Sequence, residues 1–345
     1  MERPHILVTR PVFAETIARL SQHFRVDAHT EERPLTKATL IQRLQSKQGV
    51  LAVGGDRIDA EVLEACPGLR ICANFGVGYD NLDIEAMTRR GVLATNAPDV
   101  LTETTADFAF ALLMATARRV TESERFVRTG QWNHGRYDLF AGCDVHGSTL
   151  GIIGLGRIGQ AIARRAVGGF DMRVLYHKRT RLSREDEARF SVTYAAKDEL
   201  LQAADHVLLV LPFSAATRHT IGERELSLMK ATATLVNVAR GGIVDDEALA
   251  RALRDRRIAA AGLDVFEREP NVHPDLLEAS NIVLTPHIAS ATIRTRRAMA
   301  ELAAENLIAY FLRGVASTPI NPEVLRSRVA VHGSTLRPHA GNLPR

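Results

Sequence analysis

The stretch "TLGIIGLGRIGQAIARRA", residues 149–166, limits the possible folds of this chain more than any other. Gly154, Gly156 and Gly159 stand in G-x-G-x-x-G spacing, directly after an apolar run and at the start of a helical pattern. In that context each glycine has its own reason. Gly154 permits a tight turn, Gly156 lets backbone approach a diphosphate, and Gly159 lets the helix pack closely on its strand. The first helical turn, Arg157 and Ile158 included, would offer free N–H groups to that diphosphate, with Arg157 adding charge. A merely structural turn is the alternative reading of the same glycines.

The rest of the chain suits a strand–helix–strand unit of this kind. "HILVTR", "GVLAVGG", "RICANFG" and "GVLATNA" alternate with helical segments such as "VFAETIARLSQHF" and "TKATLIQRLQSK", which predicts parallel strands joined by crossover helices. A second series follows: "TLGIIGLG", "RVLYH", "HVLLVLP", "ATLVNVAR", "IAAAGLDVF" and "NIVLTPH". Its near-continuous Val, Ile and Leu runs fit strands covered on both faces. Between the series, "TADFAFALLMATARRVTESERFVRTG" reads as one long helix, apolar in its first half and charged in its second, passing from a core to a surface. "TRRAMAELAAENLIAYFLRG" reads as a closing helix ending at Gly314, and the aperiodic tail after about residue 325 is expected to be poorly ordered.

Composition excludes several function classes. A net charge of +4 is spread over 44 basic and 40 acidic residues, so a nucleic-acid partner is not expected. There is no apolar run of about 18 residues and no leader-like segment, which argues against a membrane protein and for a cytoplasmic one. Cys66, Cys72 and Cys143 have neither metal-ligand spacing nor the even count of a disulfide framework. They are expected to be reduced, buried thiols, with no metal bound.

In a dinucleotide fold the end of the next strand distinguishes the cofactors. An acid there bonds the 2′-OH of NAD, and basic residues favour a 2′-phosphate. Lys178 lies at that position in "VLYHKRTR", with Arg179 and Arg181 following. Most of the basic residues in this chain are arginine, so an idle surface cluster is the competing explanation. His177 has no evident role.

Arg240, Glu269 and His287 each stand at or just past the end of an apolar strand, in "NVARGGIVDDEAL", "AGLDVFEREP" and "NIVLTPHIASAT". That edge is where open α/β sheets bind ligands. Hydride transfer to a 2-keto acid needs a proton donor, which an imidazole supplies near neutral pH. It also needs a cation for the carboxylate, which the planar guanidinium fork matches at two points. Glu269 could orient the imidazole. Taken singly, Arg240 could instead form a surface ion pair, Glu269 could be a loop acid before Pro270, and His287 a satisfied histidine after Pro286.

From about residue 45 to 322 the chain resembles the D-isomer-specific 2-hydroxyacid dehydrogenase family. The resemblance rests on "GVGYDNLD", "TADFAFALLM", "TLGIIGLGRIG", "NVARGGIVDDEAL", "AGLDVFEREP" and "LTPHIASAT", in the expected order. It implies an α/β protein of two Rossmann-like domains with parallel sheets. A flavodoxin-like substrate-binding domain would comprise residues 1–101 and 288–345, and an NAD(P)-binding Rossmann domain, 102–287, would be inserted between them. A cleft closing by hinge motion would hold the substrate. His287 would be the acid/base, Glu269 its partner, and Arg240 the substrate anchor and carbonyl polariser. Backbone N–H groups around Val77 and Gly78 would bind the substrate carboxylate. Thr105 would touch the cofactor near the nicotinamide and Asp264 its carboxamide side, although a structural buried acid is a second reading of Asp264. Leu211, Pro212, Val238, Ala239 and Ser290 would complete the cofactor's surroundings.

Within the family the resemblance is to bacterial glyoxylate, hydroxypyruvate and 2-ketogluconate reductases. That implies an NADP(H)-preferring enzyme, with NAD(H) possible, working toward D-2-hydroxy acids as a homodimer built on the charged segment near Arg118 to Arg128. Relatives with small pockets often carry a second tryptophan three residues after the equivalent of Trp132. Gly135 stands here, which points to a roomier pocket suited to a sugar acid. Two alternatives accompany this reading: another family dehydrogenase, such as a phosphoglycerate dehydrogenase, and an NAD(H)-dependent binding protein like the corepressors that share the fold.

Overall fold

The computed structural model describes residues 3–326; the tail expected to be poorly ordered lies almost wholly outside the described residues. In chain order the elements are β1 (His5–Val8), α1 (Ala14–Ser21), β2 (Arg25–Ala28), α2 (Lys37–Leu44), β3 (Gly49–Ala52), α3 (Ala60–Ala65), β4 (Ile71–Asn74), α4 (Ile84–Arg89), β5 (Leu93–Thr95), α5 (Thr102–Ala117) and α6 (Val120–Arg128). There follow β6 (Thr149–Ile153), α7 (Arg157–Phe170), β7 (Arg173–His177), α8 (Arg184–Phe190), β8 (Val192–Tyr194), α9 (Lys197–Ala203), β9 (His206–Leu209), α10 (Glu223–Leu228), β10 (Thr234–Asn237), α11 (Asp246–Arg254), β11 (Ala260–Leu263), α12 (Pro274–Glu278), β12 (Ile282–Leu284) and α13 (Ile293–Arg313). They divide into two compact units. One joins the described residues up to Leu101 with those from Ile293 onward, and the other runs from Thr102 to Thr292.

The first unit holds a parallel sheet in the order β2-β1-β3-β4-β5, the flavodoxin-like order. β3 and β4 are buried along their whole length, as strands covered on both faces must be. Leu7, Val50 and Cys72 pack with Leu44, Leu63 and Met87 on one face, and α13 covers β3 and β4 on the other. Each fully buried Leu or Ile contributes about 1.5–3 kcal/mol. Short helices are fixed by their first residues: the side chains of Asp59 and Asp83 accept from the N–H groups of Val62 and Ala86 at 3.2 and 2.9 Å, satisfying donors that the helix itself cannot.

The second unit holds a parallel sheet in the order β12-β11-β10-β9-β6-β7-β8. Reading β8-β7-β6-β9-β10-β11 gives the doubly wound dinucleotide order, which reverses between β6 and β9. Leu150, Ile152, Tyr176 and Val236 pack against α5 and α7 on one face. Val207, Leu235, Ala261 and Leu263 meet the buried residues of α9 to α12 on the other.

The single long helix expected over residues 105–130 is two helices. α5 ends at Ala117, and Arg119 adopts a left-handed conformation at φ 54°. The carbonyl of Ala117 accepts the Cys143 N–H at 2.9 Å, so a crossing strand of chain takes a bond the helix would need. Arg119 turns back to grip Glu122 through two hydrogen bonds of 2.8 Å and lies 5.0 Å above the Phe140 ring. Cys66 and Cys72 are buried as expected, whereas Cys143 is only partly so. Among the described residues no helix is long and apolar enough to cross a membrane.

Candidate active site

Every residue assigned to the cofactor or the chemistry from the second half of the chain follows the carboxyl end of a strand in the second unit. Gly154 leaves β6 with φ +100°, a conformation that L side chains rarely adopt, and a Cβ there would stand 2.6 Å from the Val210 carbonyl oxygen. Its N–H donates to the His177 carbonyl at 2.9 Å, tying the loop to β7. A Cβ on Gly159 would collide with the Gly154 carbonyl, so this residue sets how closely α7 approaches. Around Gly156 a Cβ would meet open space, and Gly156 caps α7 with no side-chain bond to the first turn. Open space at Gly156 and a first turn of α7 without a side-chain cap fit the diphosphate of a dinucleotide. Leu211 and Pro212 follow β9 beside this loop, and Val238 and Ala239, both nearly buried, follow β10. Thr105 is buried in the first turns of α5.

At the end of β7 the basic cluster divides. Lys178 and Arg179 make no hydrogen bond or ion pair among the described residues. Arg181 is already engaged: its guanidinium donates to both oxygens of Glu187 at 2.7 and 2.8 Å and lies 5.3 Å over the Tyr194 ring. Arg181, with the Tyr176 hydroxyl donating at 2.7 Å, holds the Glu187 carboxyl down to about 2. His177, unplaced in the sequence, has Nδ1 3.1 Å from the Ala195 carbonyl and its ring beside Tyr194, a strand-end structural role.

Arg240, Glu269 and His287 follow β10, β11 and β12. His287 Nδ1 lies 2.8 Å from Glu269 Oε2. An ionised carboxylate only accepts, so Nδ1 carries a proton and Nε2 is the nitrogen left for exchange. Glu269 Oε1 accepts the Phe266 N–H at 3.0 Å. Burial opposes ionisation of Glu269, but the His287 bond, the Phe266 N–H and the Arg240 charge outweigh it and hold the carboxyl below its ordinary range. The loop carrying Arg240 is bracketed by Asn237, whose Oδ1 accepts the Ala239 N–H at 3.0 Å and whose Nδ2 donates to the Arg240 carbonyl at 3.1 Å. One guanidinium nitrogen donates to the Ala239 carbonyl at 2.9 Å.

His287 has a positive φ of 55°, an uncommon conformation for a side chain of that size, and its surroundings over-determine it. The His287 N–H donates to the Asp264 carbonyl at 2.9 Å. The Asp264 carboxylate, fully buried after β11, accepts from the Ile288 and Ala289 N–H groups at 2.8 and 2.9 Å and from the Thr285 hydroxyl at 2.7 Å. Burial nevertheless pushes the Asp264 carboxyl upward. Ser290 follows this turn, partly buried.

Some supporting residues escaped the sequence reading. Glu267, two residues before Glu269, is held by Arg218 at 2.7 Å and His219 at 3.2 Å, and its N–H donates to the buried Asp246 at 3.0 Å. A Cβ on Gly241 would overlap the Phe266 carbonyl, so the loops bearing Arg240 and Glu269 touch through backbone. The doubled glycine in "ARGG" and doubled acid in "VDDEA" were the available signals. Val77 and Gly78 lie in the first unit, partly buried in the loop after β4.

Residues 110–289 match the model of the D-isomer specific 2-hydroxyacid dehydrogenase NAD binding domain. The chain is 49% identical over 330 residues to a glyoxylate reductase of Thermococcus onnurineus, covering 94% of this chain and 98% of that one. It is 47% identical over 332 residues to one of Pyrococcus furiosus, with the same coverage. A solved structure of an NADPH-dependent glyoxylate/hydroxypyruvate reductase from Sinorhizobium meliloti, in complex with NADP and malonate, superposes with a TM-score of 0.81 at 37% identity, covering 92% of this chain and 97% of that one. Glycine loop, strand order and sequence similarity agree: the chain belongs to the D-isomer specific 2-hydroxyacid dehydrogenase family and is an NAD(P)-dependent enzyme.

Proposed function

We propose that the protein is an NADPH-preferring reductase that converts small 2-keto acids to D-2-hydroxy acids, with glyoxylate, hydroxypyruvate and 2-ketogluconate as the substrates to test. The observation that carries this reading is the His287–Glu269 bond, which leaves Nε2 as the exchangeable position. When bound, the cofactor supplies the hydride to the carbonyl carbon. His287 gives the Nε2 proton to the carbonyl oxygen, and the Glu269 carboxylate stabilises the imidazolium before that transfer. Arg240 anchors the substrate and polarises its carbonyl, and the N–H groups of Val77 and Gly78 bind the carboxylate. Gly154, Gly156, Arg157, Ile158 and Gly159 would hold the diphosphate. Thr105, Leu211, Pro212, Val238, Ala239, Asp264 and Ser290 would surround the rest of the cofactor.

The preference for NADPH is supported by Lys178 and Arg179, unpaired among the described residues and standing where an NAD enzyme would show an acid, and by the cofactor named for the Sinorhizobium relative. The absence of a bulky residue at Gly135 supports inclusion of a sugar acid among the substrates. We also assign the cofactor to the Thr102–Thr292 unit and substrate recognition to the other. The exposed Val120, Val127, Trp132 and Tyr137 support α6 and the chain after it as a dimer surface, in a cytoplasmic enzyme. Steady-state rates with the three keto acids against NADPH and NADH test the proposal. Turnover with at least one, faster with NADPH, is expected; no turnover with any 2-keto acid would sink it.

A further inference from the structure

The loop after β4 carries an arrangement of carbonyls that the reaction chemistry does not by itself explain. The side-chain amide of Asn74 donates to the Gly76 carbonyl at 3.1 Å and the Gly78 carbonyl at 2.8 Å. The amide of Asn96 donates to the carbonyl between them, Val77, at 2.7 Å. Three successive carbonyls are thus each held by a side-chain amide. The Ala97 N–H adds a second bond to Gly76 at 3.1 Å.

A trans peptide is planar, with its C=O and N–H pointing in opposite directions. Fixing the Gly76 carbonyl therefore fixes the Val77 N–H on the other side, and fixing the Val77 carbonyl does the same for the Gly78 N–H. Neither N–H has a hydrogen-bond partner among the described residues. Successive N–H groups held in this way form a concavity with positive potential, suited to an anion. We infer that Asn74 and Asn96 are positioning residues, which orient the Val77 and Gly78 N–H groups as a cradle for the substrate carboxylate.

Both asparagines are themselves held in place, Asn74 through its side-chain amide and Asn96 through its backbone. Asn74 is 2% exposed, and its Oδ1 accepts from Asn81 Nδ2 at 3.3 Å, which turns Nδ2 of Asn74 toward the loop. Asn81 also donates to the Asp56 carbonyl at 3.0 Å. The Asn96 carbonyl accepts from the Thr318 hydroxyl at 2.6 Å, and that hydroxyl accepts from Asn306, a fully buried residue of α13, at 2.8 Å. The cradle is therefore supported from two sides within one unit.

This inference rests on the reading that those N–H groups take the carboxylate of a 2-keto acid. Its test uses the full-length enzyme with Asn96→Ala, and Asn74→Ser as a second variant, each checked for folding by thermal unfolding. Oxalate, an unreactive dicarboxylate analogue of glyoxylate, serves as the binding probe. The expected result is a rise of roughly tenfold in KM for glyoxylate and in Kd for oxalate, with kcat and cofactor Kd within about twofold of wild type. A structural defect alone would lower kcat and cofactor affinity together. A folded variant that binds oxalate and glyoxylate like wild type, or loses cofactor affinity in parallel, overturns the inference while the reductase reading stands. A wild-type enzyme with no keto-acid turnover overturns both.

Discussion

Replacing Lys178 and Arg179 together by alanine should reduce the use of NADPH without touching the use of NADH. Each charge-assisted hydrogen bond to a phosphate is worth about 1.5–3 kcal/mol when well shielded. Arg179 is exposed and Lys178 only partly buried, so solvent screening brings each toward about 1–1.5 kcal/mol. Two such bonds amount to about 2–3 kcal/mol, roughly a 30- to 150-fold loss in kcat/KM for NADPH. NADH has no 2′-phosphate and should show a change below about twofold. Arg181→Ala supplies the internal contrast. Its guanidinium is committed to Glu187 and Tyr194, so that variant should lower the unfolding temperature while keeping the NADPH preference. Steady-state kinetics with both cofactors at saturating keto acid read the outcome. A double variant that keeps its NADPH preference, or an Arg181 variant that loses it, would refute the assignment.

Other consequences follow from the same geometry. Glu269→Gln should cut kcat for reduction about 10-fold with cofactor Kd unchanged: the His287 bond is charge-assisted, but both partners are partly exposed, so its full worth is discounted. Because the Glu269 carboxyl is held below its ordinary range, the pair's contribution is fully present above the ordinary value of about 4.3 and is lost as pH falls from there through the lower folded value. A stability titration should therefore show this contribution declining below about pH 4.3 in the wild type and missing from Glu269→Gln, whereas identical acid limbs in the two would contradict the assignment. Asp264→Asn puts an amide where the carboxylate accepted the Ile288 and Ala289 N–H groups, and leaving one unsatisfied should cost about 1–3 kcal/mol in denaturant unfolding. Burial raises the Asp264 carboxyl, so this residue's share of stability falls as pH rises from its unfolded to its folded value. A pH slope unchanged in Asp264→Asn would contradict that sign.

The parallel α/β architecture could be read from the strands because β3, β4, β9, β10 and β11 are buried on both faces and so carry uninterrupted apolar runs. β2 and β8 were not singled out: they are edge strands, partly exposed, with no such run. α3 and α4 are six residues each, too short for a helical period to stand out, and the capping aspartates were their only signal. The break at Arg119 was hidden because its cause is distant: residues 141–143 cross the end of α5 and take its last carbonyl, a tertiary effect that local propensity does not encode. Candidate polar residues were visible as those standing just past strand ends. That Nδ1 of His287 meets Glu269, 18 positions earlier, and that Arg181 is engaged while Lys178 is not, depend on loop geometry. The carbonyl-turning amides of Asn74 and Asn96 looked like ordinary polar residues at the ends of strands.

The most direct measurement is the rate of glyoxylate reduction by His287→Ala beside the wild-type enzyme, with the dissociation constant of NADPH determined for both. Loss of the proton donor predicts a fall of about 10²–10⁴ in kcat, with NADPH bound within about twofold of wild type. Retained turnover, or equal loss of turnover and cofactor binding, would contradict His287 as the acid of this site.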